Sequence, residues 1–140
     1  RNVLAEYAAA CERHDIALGT YYSLLDWGDE HYPDASYVDD VMHPQVIDLV
    51  ERHGSVMLWG DGHWAHDAGH WKTSELLRRV HELDPEVVVN DRWCASSADI
   101  PDGSPPIVRT FEYDAVSTST ENVESGWSTT ARNVFSSILS

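Results

Sequence analysis

Ser55-Val56-Met57-Leu58-Trp59-Gly60-Asp61-Gly62-His63-Trp64 is an apolar run that stops at a carboxylate set between two tryptophans. Val56 to Trp59 predicts a short strand, and Gly60 and Gly62 break it. A run without polar relief predicts a parallel strand covered on both faces. The C-terminal ends of such strands carry the chemistry of barrels and open α/β sheets. Asp61 among aromatic side chains therefore points to an enzyme that grips a sugar-like ring. The alternative is an Asp in a tight turn, with the tryptophans as core filler.

Outward from that strand, Leu4, Tyr7, Ala8 and Cys11 form one helical stripe. They predict a helix from a cap at Asn2 to His14. Residues 16–22 read as a strand and 24–35 as a long loop. Val38, Val41, Met42, Val46, Leu49 and Val50 predict a helix to Arg52, kinked or restarted at Pro44. Residues 60–71 read as a second loop. Leu76, Leu77, Val80 and Leu83 mark a helix that starts near Thr73 or Ser74 and stops at Pro85. Val87-Val88-Val89 predicts a third buried strand, and 108–111 a brief fourth.

Helices thus alternate with strands whose starts lie about 30–40 residues apart, as in βα units of one parallel sheet. No Gly-rich phosphate loop of the dinucleotide or Walker type occurs, which weakens nucleotide binding. Half of a (β/α)8 barrel is favoured over a doubly wound sheet, since a whole barrel takes about 250 residues. The expected fold is α/β: a partial TIM-like barrel of three to four parallel strands with intervening helices, its N-terminal strands missing. Residues 1–116 would belong to it. From Ser117 to Thr130, eight of fourteen residues are Ser or Thr. Residues 117–140 are therefore expected to form a divergent, poorly ordered tail, with a short helix near 134–139.

A formal net charge of −15 argues against nucleic acid or an anionic membrane as partner. No apolar run approaches a membrane span, and no signal-peptide pattern is present. Two cysteines make no disulfide framework, and Cys11 on a helical stripe predicts a buried thiol. The chain starts at Arg1 rather than Met, which is compatible with a fragment or a processed form.

All three predicted strands end in polar and aromatic residues: Tyr21-Tyr22-Ser23, then Trp59, Asp61, His63 and Trp64, then Asn90-Asp91-Arg92-Trp93. A parallel sheet brings these ends side by side. Glycoside hydrolysis needs two carboxyl groups flanking the scissile bond. Asp61, short and rigidly based, suits the ionised one, and Arg92 nearby would favour that ionisation. Glu112 is the best-placed candidate for the protonated one; the alternative is a solvated Glu. His63, His66 and His70 with Asp67 offer a rival metal site, though no known zinc spacing is reproduced. Asp39 and Asp40 read as a solvated helix face.

Four segments resemble the α-L-fucosidases of glycoside hydrolase family 29. Leu18-Gly19-Thr20-Tyr21-Tyr22-Ser23-Leu24-Leu25-Asp26-Trp27 is similar to a strand end of that family, and residues 37–52 to the helix that follows. Leu58 to Trp64 is similar to the segment that carries the nucleophile. Val87-Val88-Val89-Asn90-Asp91-Arg92-Trp93 resembles a further strand end. The resemblance implies a barrel that removes terminal α-L-fucose with retention, from a fucosylated glycan or glycoconjugate. It implies Asp61 as nucleophile, Tyr21 and Arg92 lining the fucose pocket, Trp59 and Trp64 shaping it, and no metal or cofactor. Phe111-Glu112-Tyr113 resembles the acid/base segment of some members. Glu124 is the alternative and Glu121 a third candidate, because other members place this residue near a later Trp. Family strands that precede Arg1 would carry further fucose contacts. An incomplete barrel exposes strand edges, so these residues alone are expected to be inactive. Periplasmic, extracellular or lysosome-like compartments are compatible with the family. Two other readings stand beside this one: a metal-dependent hydrolase using the His63 loop, and a non-catalytic sugar-binding fragment.

Overall fold

The computed structural model describes residues 1–110. The predicted tail and its helix, Phe111, and the carboxylates Glu112, Glu121 and Glu124 lie outside the described residues. The described helices are α1 (Val3–Arg13), α2 (Ala35–Tyr37), α3 (His43–Glu51), α4 (Ala68–Trp71) and α5 (Thr73–Leu83). The strands are β1 (Gly19–Ser23), β2 (Met57–Asp61) and β3 (Val88–Val89). A π-helical turn (Val38–Met42) joins α2 to α3, and 3-10 turns (His63–Ala65, Asp91–Trp93) follow β2 and β3.

The strands form one parallel sheet in the order β1-β2-β3, so the strand that ends in Asp61 is central. Where 108–111 predicts a fourth strand, Val108 makes an isolated parallel bridge to Asn90. The architecture is an α/β fragment built on a small parallel sheet. Among the described residues, no helix is long and apolar enough to cross a membrane.

The core lies between the sheet and the helices. Val38, Met42, Val46 and Val50 meet Leu76, Leu77 and Val80 of α5, together with Leu58, Val87, Val89, Trp71 and Trp93. Burying a side chain of the size of Leu58 contributes about 2 kcal/mol. Side chains alternate across a strand. Leu58 and Gly60 accordingly face the core, while Met57, Trp59 and Asp61 face the other way and stay half-exposed. The apolar run predicts a strand covered on both faces. Helices α3 and α5 pack on one, and Val56, before the strand, is 42% exposed.

Local chemistry explains the element ends. The Asn2 side chain accepts from the Ala5 N–H at 3.0 Å and caps α1. Cys11 of α1 is buried as expected, but Tyr7 is exposed. Pro44 lacks an N–H and is predicted to kink or restart its helix. Helix α3 does start there: Pro44 sits in its first turn, just after the π-helical turn, with Met42 and His43 in helical geometry. The segment predicted as a loop after β2 contains α4, capped by the Asp67 carboxylate, which accepts from the His70 N–H at 2.8 Å.

Candidate active site

The site begins at Gly60, one residue before the carboxylate. A Cβ there would lie 2.5 Å from the Trp93 indole, so only glycine lets the ring pack against the strand. The Trp93 Nε1–H donates to the Leu58 carbonyl at 3.3 Å, and its ring stacks on Tyr22. In the plane of the sheet, Asn90 takes over where β3 ends. Its amide oxygen accepts from the Gly60 N–H at 2.8 Å, and its NH2 donates to the Gly60 carbonyl at 3.0 Å. A fully buried side chain thus completes the ladder that the β3 backbone has left. Beyond Asp61, Gly62 has φ of 92°, and a Cβ there would strike Leu25 at 2.6 Å. The loop after β1 therefore lies directly against the turn after β2.

Asp61 is held from both neighbouring strands. From β1, the Tyr21 hydroxyl donates to Oδ2 at 3.0 Å; from beyond β3, Arg92 Nη1 donates to Oδ1 at 2.8 Å. Tyr21 pairs with Trp59 in the strand register, and Ser23 with Asp61. Tyr21 therefore reaches its partner diagonally along the open face. Burial pushes the Asp61 carboxyl up. The hydrogen bonds from Arg92 and Tyr21, the Arg92 charge and the Gly62 N–H outweigh it and hold the group below its ordinary value. The same hydrogen bond, with burial and the carboxylate charge, raises the Tyr21 phenol against the opposing charge of Arg92. The result is an ionised acceptor beside a neutral donor.

The candidates do not all converge. Trp59 lies on the open face of β2, in register with Tyr21. Trp64 is 60% exposed and stands edge-on to His63. The Trp71 Nε1–H donates to the carbonyls of His63 and His66 at 3.1 and 3.2 Å, fixing the turn from which Trp64 projects. His66 and His70 stack with ring centroids 3.9 Å apart. Burial and the neighbouring His66 lower the His70 pKa, against Asp67 and the Pro33 backbone. Among the described residues, no three His, Cys, Asp or Glu side chains gather as a metal-ligand set.

Three participants were not singled out from the sequence as site residues. Asn90 and Asp91 stand inside the quoted Asn-Asp-Arg-Trp segment, but their roles need a partner strand to become visible. Thr110 meets Arg92 from eighteen residues away.

Fold and site together define an α/β protein whose central strand presents a carboxylate between an arginine and a tyrosine. The family model described as Alpha-L-fucosidase matches residues 1–133. The chain belongs to the α-L-fucosidase family. It is similar to the tissue alpha-L-fucosidase of Rattus norvegicus, at 31% identity over 104 residues, 66% of this chain and 22% of the rat protein. The tissue alpha-L-fucosidase of Bos taurus matches at 31% over the same length, with the same shares. The alpha-L-fucosidase of Dictyostelium discoideum matches at 27% over 111 residues, 70% of this chain and 24% of that protein. The chain therefore spans under a quarter of the length of these curated relatives.

Proposed function

We propose that these residues supply the nucleophile side of the active site of a retaining exo-α-L-fucosidase. Terminal α-L-fucose on a glycan or glycoconjugate is the substrate. One observation carries the reading: Asp61, at the end of the central strand, is held ionised by Arg92 at 2.8 Å and Tyr21 at 3.0 Å. Family membership supports it.

In the first step an Asp61 oxygen attacks the anomeric carbon while Glu112 protonates the departing glycosidic oxygen; Glu124 is the alternative acid. A fucosyl ester of Asp61 forms and the aglycone leaves. In the second step the same Glu, now ionised, takes a proton from water. The water oxygen attacks the anomeric carbon, fucose leaves and the Asp61 carboxylate is restored. Arg92 and Tyr21 fix the carboxylate before attack, and their hydrogen bonds slacken as its charge passes into the ester. Trp59 and Trp64 shape the sugar pocket. In the same reading, β1–β3 and the strand begun at Val108 are consecutive strands of a (β/α)8 barrel. Residues 1–116 belong to that barrel, and 117–140 form the tail.

The test is to incubate the full-length protein with a 2-deoxy-2-fluoro-fucosyl fluoride and sequence the labelled peptide by mass spectrometry. A fucosyl adduct on Asp61 is expected, together with a loss of several powers of ten in hydrolysis on Asp61→Gly. A label on another residue, or normal turnover by Asp61→Gly, overturns the assignment.

A further inference from the structure

Arg92 is itself held. Its Nε–H donates to Thr110 Oγ1 at 3.0 Å, and that hydroxyl donates its one O–H to Asp91 Oδ1 at 2.6 Å. The Thr110 N–H donates to the same Asp91 oxygen at 3.0 Å. Asp91 and Val108 are tied in turn. The Asp91 N–H donates to the Val108 carbonyl at 3.0 Å, and the Val108 N–H to the Val89 carbonyl at 2.9 Å. The contacts run unbroken from Asp91 through Thr110 and Arg92 to Asp61.

A hydroxyl has one proton. Because that proton points to Asp91, the hydroxyl turns a lone pair toward Arg92 Nε. A guanidinium is planar, so anchoring Nε fixes where Nη1 points. Nη1 is the atom that donates to Asp61.

We propose that Thr110 is a positioning residue for the nucleophile: with Asp91 it aims the Arg92 guanidinium at the Asp61 carboxylate. The proposal rests on the fucosidase reading for its catalytic meaning, but the relay itself can be tested without turnover. Thr110 stands two residues before Glu112.

A plain structural tie between Thr110 and Asp91 is the rival explanation, and the two separate cleanly. Thr110→Val keeps the backbone N–H bond to Asp91 and loses only the hydroxyl. Thr110→Ser keeps both. The measurement is a pH titration of the Asp61 carboxyl in protein labelled with 13Cγ aspartate, the resonance assigned by its loss in Asp61→Asn. Thr110→Val is expected to raise the Asp61 midpoint, since the favourable arginine contact loosens. Thr110→Ser is expected to leave it in place. An unmoved midpoint in Thr110→Val, or an equal shift in both variants, overturns the proposal. Turnover of an aryl α-L-fucoside by the full-length protein is the second readout: kcat falls about tenfold in Thr110→Val with KM little changed. Absence of turnover in the unmutated protein counts against the fucosidase reading, while the titration still decides the relay.

Discussion

Asp61 takes one hydrogen bond from a neutral phenol and one from a cation, and its two oxygens divide them. The folded carboxyl is depressed below its ordinary value of 3.8. Its contribution to stability is therefore fully present above that value and is lost as pH falls through the lower folded one. Tyr21→Phe removes a donor and Arg92→Met removes a donor and the charge. Both are expected to move the acid loss of stability to higher pH, Arg92→Met further. Urea midpoints measured across about pH 5 to pH 2 read the effect. Coinciding curves for the three proteins would show that neither partner governs the carboxylate. The proximity of Asp61 and Arg92 was legible in the sequence because strand ends of a parallel sheet converge. The link through Thr110 was not, because it depends on which way one hydroxyl turns.

At the scale of elements, β3 is two residues long because a side chain does the rest of its pairing. Asn90→Ala leaves the Gly60 N–H and carbonyl without their partners in a buried position. A loss of about 2–3 kcal/mol is expected, and Asn90→Asp should be at least as harmful, since a carboxylate accepts but cannot donate. Urea unfolding checks both, and a loss under about 0.5 kcal/mol would show that water replaces the amide. The same feature explains a boundary the sequence did not mark. Val87-Val88-Val89 reads as a strand running into Asn90, whereas on the β2 side the pairing at Asn90 is made by side-chain atoms. Helix α1 was legible from its Asn2 cap. Pro44 was legible as the point where the helix restarts, because a first-turn position makes the missing N–H harmless. The loop after β2 concealed α4, whose signal is one capping Asp67 in front of four residues.

For the whole molecule, a formal charge of −15 opposes compaction. Raising salt from about 10 mM to about 150 mM shortens the screening length from roughly 30 Å to roughly 8 Å. The melting temperature is expected to rise by a few degrees over that range, and a flat response would mean that local ion pairs such as Lys72–Asp39 already balance the repulsion. The parallel arrangement was legible from the spacing of apolar runs. Which strand face the described helices cover was not, since letters such as Met57 and Trp59 look the same facing either side. The contact of Gly60 with the Trp93 indole has one more consequence, and it concerns the paths open to sequence change. A larger residue at 60 is excluded while 93 remains tryptophan, and a smaller residue at 93 leaves a void while 60 remains glycine. Neither position can drift alone, so the two behave as a single inherited character, one step from the carboxylate.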